Sequence, residues 1–254
     1  MLFTDFTFMG IDPTAGQKPM NYAALDHERR LLALGQGSLD DILAFAAGQE
    51  RAVAAVCAPR RPSQGIMRKS EFRQSLSPPP HPGRWENARV ADYQLWMRNI
   101  RIMQASPVEA ECPNWMKSGF TMYRRLEEMG YRAYPAMEND RQYLEVYPHA
   151  CFVALLGVLP FLKSSLEGRI QRQLVMYERD VDLRDPMRFF EEITRHKLMR
   201  GILPTEVLYK PGELDAIVAA YTAWLAIMHP EQINLIGDIA EGQISIPGEL
   251  KAKY

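Results

Sequence analysis

Apolar positions outline the elements of this chain before any chemistry is considered. FTFMGID, residues 6–12, is a nearly unbroken apolar run and reads as a buried strand. MNYAALD (20–26) and RRLLALG (29–35) follow it closely, separated by polar turn residues, so the three predict an antiparallel meander. SLDDILAFAAGQE (38–50) changes the period: Leu39, Ile42, Leu43 and Ala46 share one helical face, and Ser38 stands where an N-cap belongs. RAVAAVCAP (51–59) returns to a strand, apolar on both faces as a strand at the centre of a covered sheet is. The opening order is β-β-β-α-β.

Residues 60–88 are polar and proline-rich, with PPPHP at their middle, and predict a long loop or insertion. ARVADYQLWMRNIRIM (88–103) reads as a helix. The irregular stretch QASPVEAECPN leads to a further helix around FTMYRRLEEMG, stopped by Gly130. YLEVYP (143–148) is a strand ended by Pro148, HACFVALLG begins a helix, and SSLEGRIQRQLVMYERD is a longer amphipathic one. In DPMRFFEEITRHKLM, Asp185 as N-cap and Pro186 at the first helical position predict one helix to 199. GELDAIVAAYTAWLAIM (212–228) is the last long helix and GQISIP (242–247) a short closing strand. No internal repeat is visible. The expected organisation is a single α/β domain over 1–254 with an α-rich insertion at about 60–135.

Composition narrows the partners. A net charge of −1 gives no global field, so a polyanion has to meet a local basic patch. Arg60, Arg61, Arg68 and Lys69, with Arg73 and only Glu71 against them, form such a patch just after the fourth strand, as a phosphate grip or as a solvated loop. Lys163, Arg169 and Arg172 read either as groups within reach of an anion or, without function, as the charged surface of a helix. Three isolated cysteines, Cys57, Cys112 and Cys151, form no C-x-x-C pair and predict a reducing, cytoplasmic setting. No basic leader precedes the first apolar residues, and Pro160 interrupts ACFVALLGVLPFL, so neither a signal peptide nor a membrane span is expected. Apolar helices such as ACFVALLG offer a surface for self-association. The five histidines show no ligand spacing.

Three carboxylates sit where the local pattern does not ask for charge: Asp12 ends the first strand, Glu145 lies among apolar neighbours in YLEVYP, and Asp215 opens an otherwise apolar helix. Each has a plain structural reading: for Asp12 a turn residue before Pro13 and Gly16, for Glu145 a charge pointing to solvent at a strand end or a partner for an arginine, for Asp215 a charge favoured at a helix N-terminus. Asp92 likewise reads as a partner of Arg89 on its own helix. Brought together, Asp12, Glu145 and Asp215 would repel unless a cation neutralised them. Their hard oxygens suit Mg²⁺ or Mn²⁺, the ions that clamp a phosphodiester.

GIDPTAG at 10–16, followed by strands, resembles the opening of RuvC-type resolvases and of the wider RNase H-like superfamily. More closely, the chain resembles the domain of unknown function 429 family, a family of predicted nucleases. The resemblance is carried by GID (10–12), RVADYQL (89–95), WMKSGFTMYRRLEEMGY (115–131), EVYP (145–148) and ELDAIVAAYTAWLA (213–226). It implies an RNase H-like mixed five-stranded sheet flanked by helices and a metal-dependent nuclease activity held by Asp12, Glu145 and Asp215. One departure stands out: where the family commonly has an acidic residue before Ala-Pro, this chain reads VCAP, with Cys57 in that place. Glu145 would supply the missing charge if its strand lay beside the first. The alternatives are a non-catalytic RNase H-like module that binds nucleic acid or protein, favoured by Cys57, and a small phosphotransferase of the actin/sugar-kinase type. For the latter the chain shows no second GID-type turn and no Gly-rich adenosine motif.

Overall fold

The computed structural model describes residues 6–15, 18–81, 83–136 and 138–250. Gly16 and Pro82, read above as turn and loop residues, lie outside them. The opening meander forms as expected from β1 (Thr7–Asp12), β2 (Met20–Leu25) and β3 (Leu31–Gly37). Helix α1 (Leu39–Ala47) starts at Ser38, whose hydroxyl accepts from the Asp41 N–H while the Asp41 carboxylate accepts from the Ser38 N–H. Strand β4 (Ala52–Val56) then runs parallel to β1.

Between β4 and the next long strand come α2 (Ser70–Ser75), α3 (Val90–Trp96), α4 (Asn114–Glu128) and the two-residue β5 (Arg132–Ala133). Strand β6 (Arg141–Val146) is followed by α5 (Pro148–Leu156), α6 (Leu166–Tyr177), α7 (Arg188–Glu191), α8 (Arg195–Met199) and α9 (Pro211–Met228). The chain closes with β7 (Ile233–Ile236) and β8 (Ile244–Pro247).

The described residues form one mixed, eight-stranded sheet flanked by helices, in the order β3-β2-β1-β4-β6-β8-β7, with β5 paired to β6. Five strands were expected. Strand β8 falls within the closing strand expected at 242–247 and lies between β6 and β7, whereas β5 and β7, of two and four residues, are too short to leave a period in the sequence. Two helices are also shorter than their apolar patterns. The one predicted over 88–103 ends at Trp96: Asn99 takes a left-handed φ of 59°, and the Ile100 N–H turns back to the Leu95 carbonyl, a capping geometry. The one predicted over 185–199 is broken, because the Thr194 hydroxyl caps a fresh start at α8 by accepting from the Lys197 N–H.

The pleat sorts the strand residues onto two cores. Phe8, Val53, Ala55, Leu144 and Val146 face α5 and α9. Met9, Ile11, Ala54, Val56 and Tyr143 face α1 and α4. Period two therefore aims Gly10 and Asp12, like Phe8, at α9. Helix α9 is buried on nearly every side, which is why its sequence is apolar all round. Its backbone lies directly on β1. A methyl group added at Gly10 would stand 1.9 Å from the Ala216 carbonyl oxygen and 2.4 Å from the Ala220 nitrogen.

Gly10→Ala is therefore expected to cost about 3 kcal/mol, the upper end for overpacking a core, because both obstacles are main-chain atoms. Urea denaturation of the variant checks this. An unchanged midpoint would mean that the helix does not rest on the strand in this way.

Candidate functional site

Asp12 and Asp215 are brought together by that contact. Asp12 is the last residue of β1 and shares the parity of Gly10. Asp215 stands one residue before Ala216, whose carbonyl sits over Gly10. Helix α9 is set at its start by Pro211 in the first turn and by the Glu213 carboxylate, which accepts from the Lys210 N–H at 2.7 Å. Gly212 keeps that turn close to β2, where a Cβ would meet the Asn21 amide nitrogen at 2.3 Å.

The two carboxylates line a cleft of about 510 Å³ at the ends of β1, β4 and β6. Its other walls include Cys57, Trp115, Tyr147, His149, Phe161 and Lys163. The Lys163 Nζ stands 2.8 Å from Asp215 Oδ2, with its side chain 59% exposed and that of Asp215 only 7%. Asn21 donates to Asp12. Its amide is oriented by Gln36, whose Nε2 donates to Asn21 Oδ1 at 2.8 Å.

Charge in the cleft is unevenly supplied. Burial first, and then the neighbouring Asp215, push the Asp12 carboxyl up to about 7, while Lys163 and the Asn21 hydrogen bond pull the other way. Burial alone would lower the Lys163 ammonium, but Asp215 outweighs it and raises it. The Cys57 thiol is pushed well above its usual value by burial, then by Asp12 and Asp215. It stays protonated, with its Sγ 3.7 Å from the Asp215 carbonyl oxygen. His149 is lowered, by burial first and then by Arg172, so it is neutral at pH 7.

Glu145 is not part of this group. The register pairs Ile11 with Val56 and Val56 with Glu145, so β4 stands between the first strand and the strand of Glu145. The pleat then puts Glu145 with Tyr143 on the face toward α1 and α4, opposite to Asp12. Both its oxygens are taken. Arg89 donates to them through Nη1 at 2.8 Å and Nη2 at 3.0 Å, and the Arg60 N–H donates to Oε2 at 2.9 Å. Arg89 is fully buried and also donates to the Gly242 carbonyl. The expected set of three carboxylates is thus not assembled. Among the described residues no group of three or more His, Cys, Asp or Glu side chains is arranged to hold a metal ion.

The basic residues sort differently from their sequence order as well. Arg60 bonds Glu127 at 3.0 Å and lies over the Tyr143 ring. Arg61 reaches the Ala240 carbonyl, and Arg68 donates twice to Asn87. None of these three lines the cleft, nor does Lys69. The cations that do are Lys163 and Arg172, and Arg172 is buried with its Nη1 donating to the Phe161 and Gly168 carbonyls. Asp92, expected to pair with Arg89, does so through the main chain, accepting from the Arg89 N–H at 3.2 Å. Burial lifts its carboxyl to about 6 against the pull of Arg89. The sequence carried one faint signal for Arg89 as the partner of Glu145: an arginine flanked by Ala88, Val90 and Ala91 in a stretch otherwise reading as core.

The family model for DUF429, described as a protein of unknown function, matches residues 10–241, and the chain belongs to this family. No curated protein and no solved structure matches the chain.

Two stability measurements test this electrostatic picture. Because the folded pKa of Asp12 lies near 7 and its ordinary value is 3.8, the folded chain keeps a proton that the unfolded chain releases. Stability therefore falls as pH rises between about 4 and about 7, at about 1.4 kcal/mol per unit. Asp12→Asn removes this penalty, so its stability gain over wild type should grow through that window and stay level above it, by about 4 kcal/mol at most. Chemical denaturation across pH reads it; a gain independent of pH would remove the assignment. Separately, Arg89→Met strands a buried carboxylate and is expected to cost about 3–5 kcal/mol, much of it recovered in Arg89→Met/Glu145→Leu.

Proposed function

We propose that the cleft is a divalent-metal-dependent phosphodiesterase site and that the chain is a nuclease of the RNase H-like kind. The observation that carries this is the electrostatically coupled pair of half-buried Asp12 and buried Asp215, with Lys163 as its only ion-pair partner among the described residues, at the end of a central strand. The strand order β3-β2-β1-β4-β6, with β2 antiparallel to both its neighbours, supports the RNase H-like reading.

The donor set fits a hard cation. The Asp12 carboxyl is lifted to about 7 by burial first and by Asp215 next, and a cation bound between the two carboxylates would offset both effects. Two carboxylates, completed by water and substrate phosphate, are what Mg²⁺ or Mn²⁺ commonly takes. When bound, the metal would polarise a phosphoryl oxygen and favour ionisation of a water molecule. Asp12 and Asp215 would hold it, and Cys57, a protonated thiol, would not.

The rest falls to this chain's own groups. Lys163, more than half exposed, offers its remaining N–H donors to a non-bridging phosphate oxygen. Asn21, steered by Gln36, holds the Asp12 carboxylate in one orientation. The apolar walls keep water scarce around charge that develops on the phosphate. A second reading, a binding module without catalysis, is favoured by one observation: Glu145 is fully engaged by Arg89 and Cys57 is neutral, which leaves two carboxylates where three were expected.

Calorimetric titration of Mn²⁺ into wild-type and Asp12→Asn proteins separates the two, beside hydrolysis of bis(p-nitrophenyl) phosphate. The proposal expects metal binding that is lost in Asp12→Asn, and Mn²⁺-dependent hydrolysis that is abolished in Asp12→Ala. Undiminished hydrolysis by Asp12→Ala would sink the assignment. Nucleic-acid binding that is indifferent to EDTA and never followed by cleavage would favour the binding module.

A further inference from the structure

We propose that the cleft takes an unpaired nucleotide, with its base against the Phe161 ring and its phosphate at Lys163; this rests on the phosphodiesterase reading above. The first reason is the character of the walls. Trp115, Tyr147 and Phe161 bring three aromatic side chains to a cleft whose only exposed cation, among the described residues, is Lys163. A duplex is held by a row of phosphate contacts across a broad basic surface. An unpaired base is held by stacking on an aromatic face, which tolerates any sequence and needs few cations. The cleft volume of about 510 Å³ suits a ligand of nucleotide size.

The second reason is that Phe161 is held out on purpose-built support. Phe161 is 60% exposed as a residue, a costly position for a large aromatic group. Its backbone is nevertheless tied on both sides. The Phe161 N–H donates to Gln171 Oε1 at 2.9 Å, and its carbonyl accepts from Arg172 Nη1 at 2.9 Å. The next carbonyl, of Leu162, accepts from the Ser165 N–H and hydroxyl. That carbonyl lies against α6 at Gly168, where a Cβ would meet its oxygen at 1.9 Å. Gln171 and Arg172 are thus devoted to presenting a short loop, and that loop ends in Lys163 beside Asp215. One rigid segment carries both a stacking face and a phosphate-binding ammonium, at a spacing of two residues.

The test is fluorescence anisotropy in Ca²⁺-containing buffer with three labelled probes: a short oligothymidylate, an abasic strand of equal length, and a duplex of equal length. Wild type is expected to bind the oligothymidylate about tenfold more tightly than the abasic strand, and the duplex no better than the abasic strand. Phe161→Ala should remove that preference and Phe161→Trp should keep it. Equal binding of the abasic strand and the oligothymidylate by wild type, preference for the duplex, or no measurable binding of any probe would overturn the inference. Hydrolysis of bis(p-nitrophenyl) phosphate distinguishes its failure from that of the reading beneath it. If Mn²⁺-dependent hydrolysis persists and depends on Asp12, the phosphodiesterase reading stands without the base; if hydrolysis is absent too, both fall.

Discussion

The main-chain contact between α9 and β1 is the constraint on which the cleft depends. A helix normally stands off a sheet by the depth of two layers of side chains. Here Gly10 contributes none, and Ala216, Ala219, Ala220 and Ala223 keep the helix face shallow, so the helix sinks onto the strand. One residue past that contact on the helix side and two on the strand side stand Asp215 and Asp12. Their closeness is therefore a by-product of core packing and not of any attraction between them, since two carboxylates repel. The same packing desolvates both, and this is the leading cause of the high pKa of Asp12. A fold that merely needed a turn residue after β1 would have no reason to bear that charge beside a second, buried carboxylate.

The pleat explains why the third carboxylate went elsewhere. Adjacent parallel strands in register keep parity, so a residue aligned with Val56 points with Val56, toward α4. Glu145 occupies that alignment, and the thickness of the sheet divides it from Asp12. On its own face it meets Arg89, and the two make a buried bidentate pair. Such a pair contributes little net stability beside well-packed apolar groups, but losing either member is expensive. It joins the segment before α3, the turn after β4 and the Gly242 carbonyl ahead of β8, three pieces of chain that no continuous strand or helix connects. Glu145 thus holds together the far rim of the sheet, and Asp12 and Asp215 are left with Lys163.

How much of this was legible in the sequence follows from the length scale of each interaction. The β-β-β-α-β opening, β6 and α9 are periodic over five or more residues, and they formed where the pattern put them. Asp12 and Asp215 stood out because each is a charge inside an apolar run, and both line the cleft. Glu145 stood out for the same reason, and one of its plain readings, a partner for an arginine, is what the structure contains. Choosing between readings required the strand order and the register, which are long-range facts. A slip of one residue in the alignment of β4 with β6 would have turned Glu145 to the face of Asp12. The basic run at 60–69 lies off the cleft for a similar reason. Its arginines are spent on Glu127, Asn87 and a main-chain carbonyl, while the lysine at the site comes from a loop nearly a hundred residues later.

Cys57 then takes on a definite meaning. It follows β4 with the parity of Val53 and Ala55, so it lies on the same face as Asp12, at the position where a third carboxylate would complete the set. A carboxylate there would add a third negative charge to a pocket whose exposed cation is a single lysine, and the repulsion already felt by Asp12 would grow. A neutral thiol avoids that cost. It leaves a site with two hard donors, one ammonium and apolar walls. On the proposed phosphodiesterase reading, such a site would hold a cation less firmly by itself than three carboxylates would, and would lean on the substrate's own phosphate to complete the coordination. On that reading affinity would come largely from the walls, of which the exposed Phe161, tied through its backbone to Gln171 and Arg172, is the part we propose to provide it.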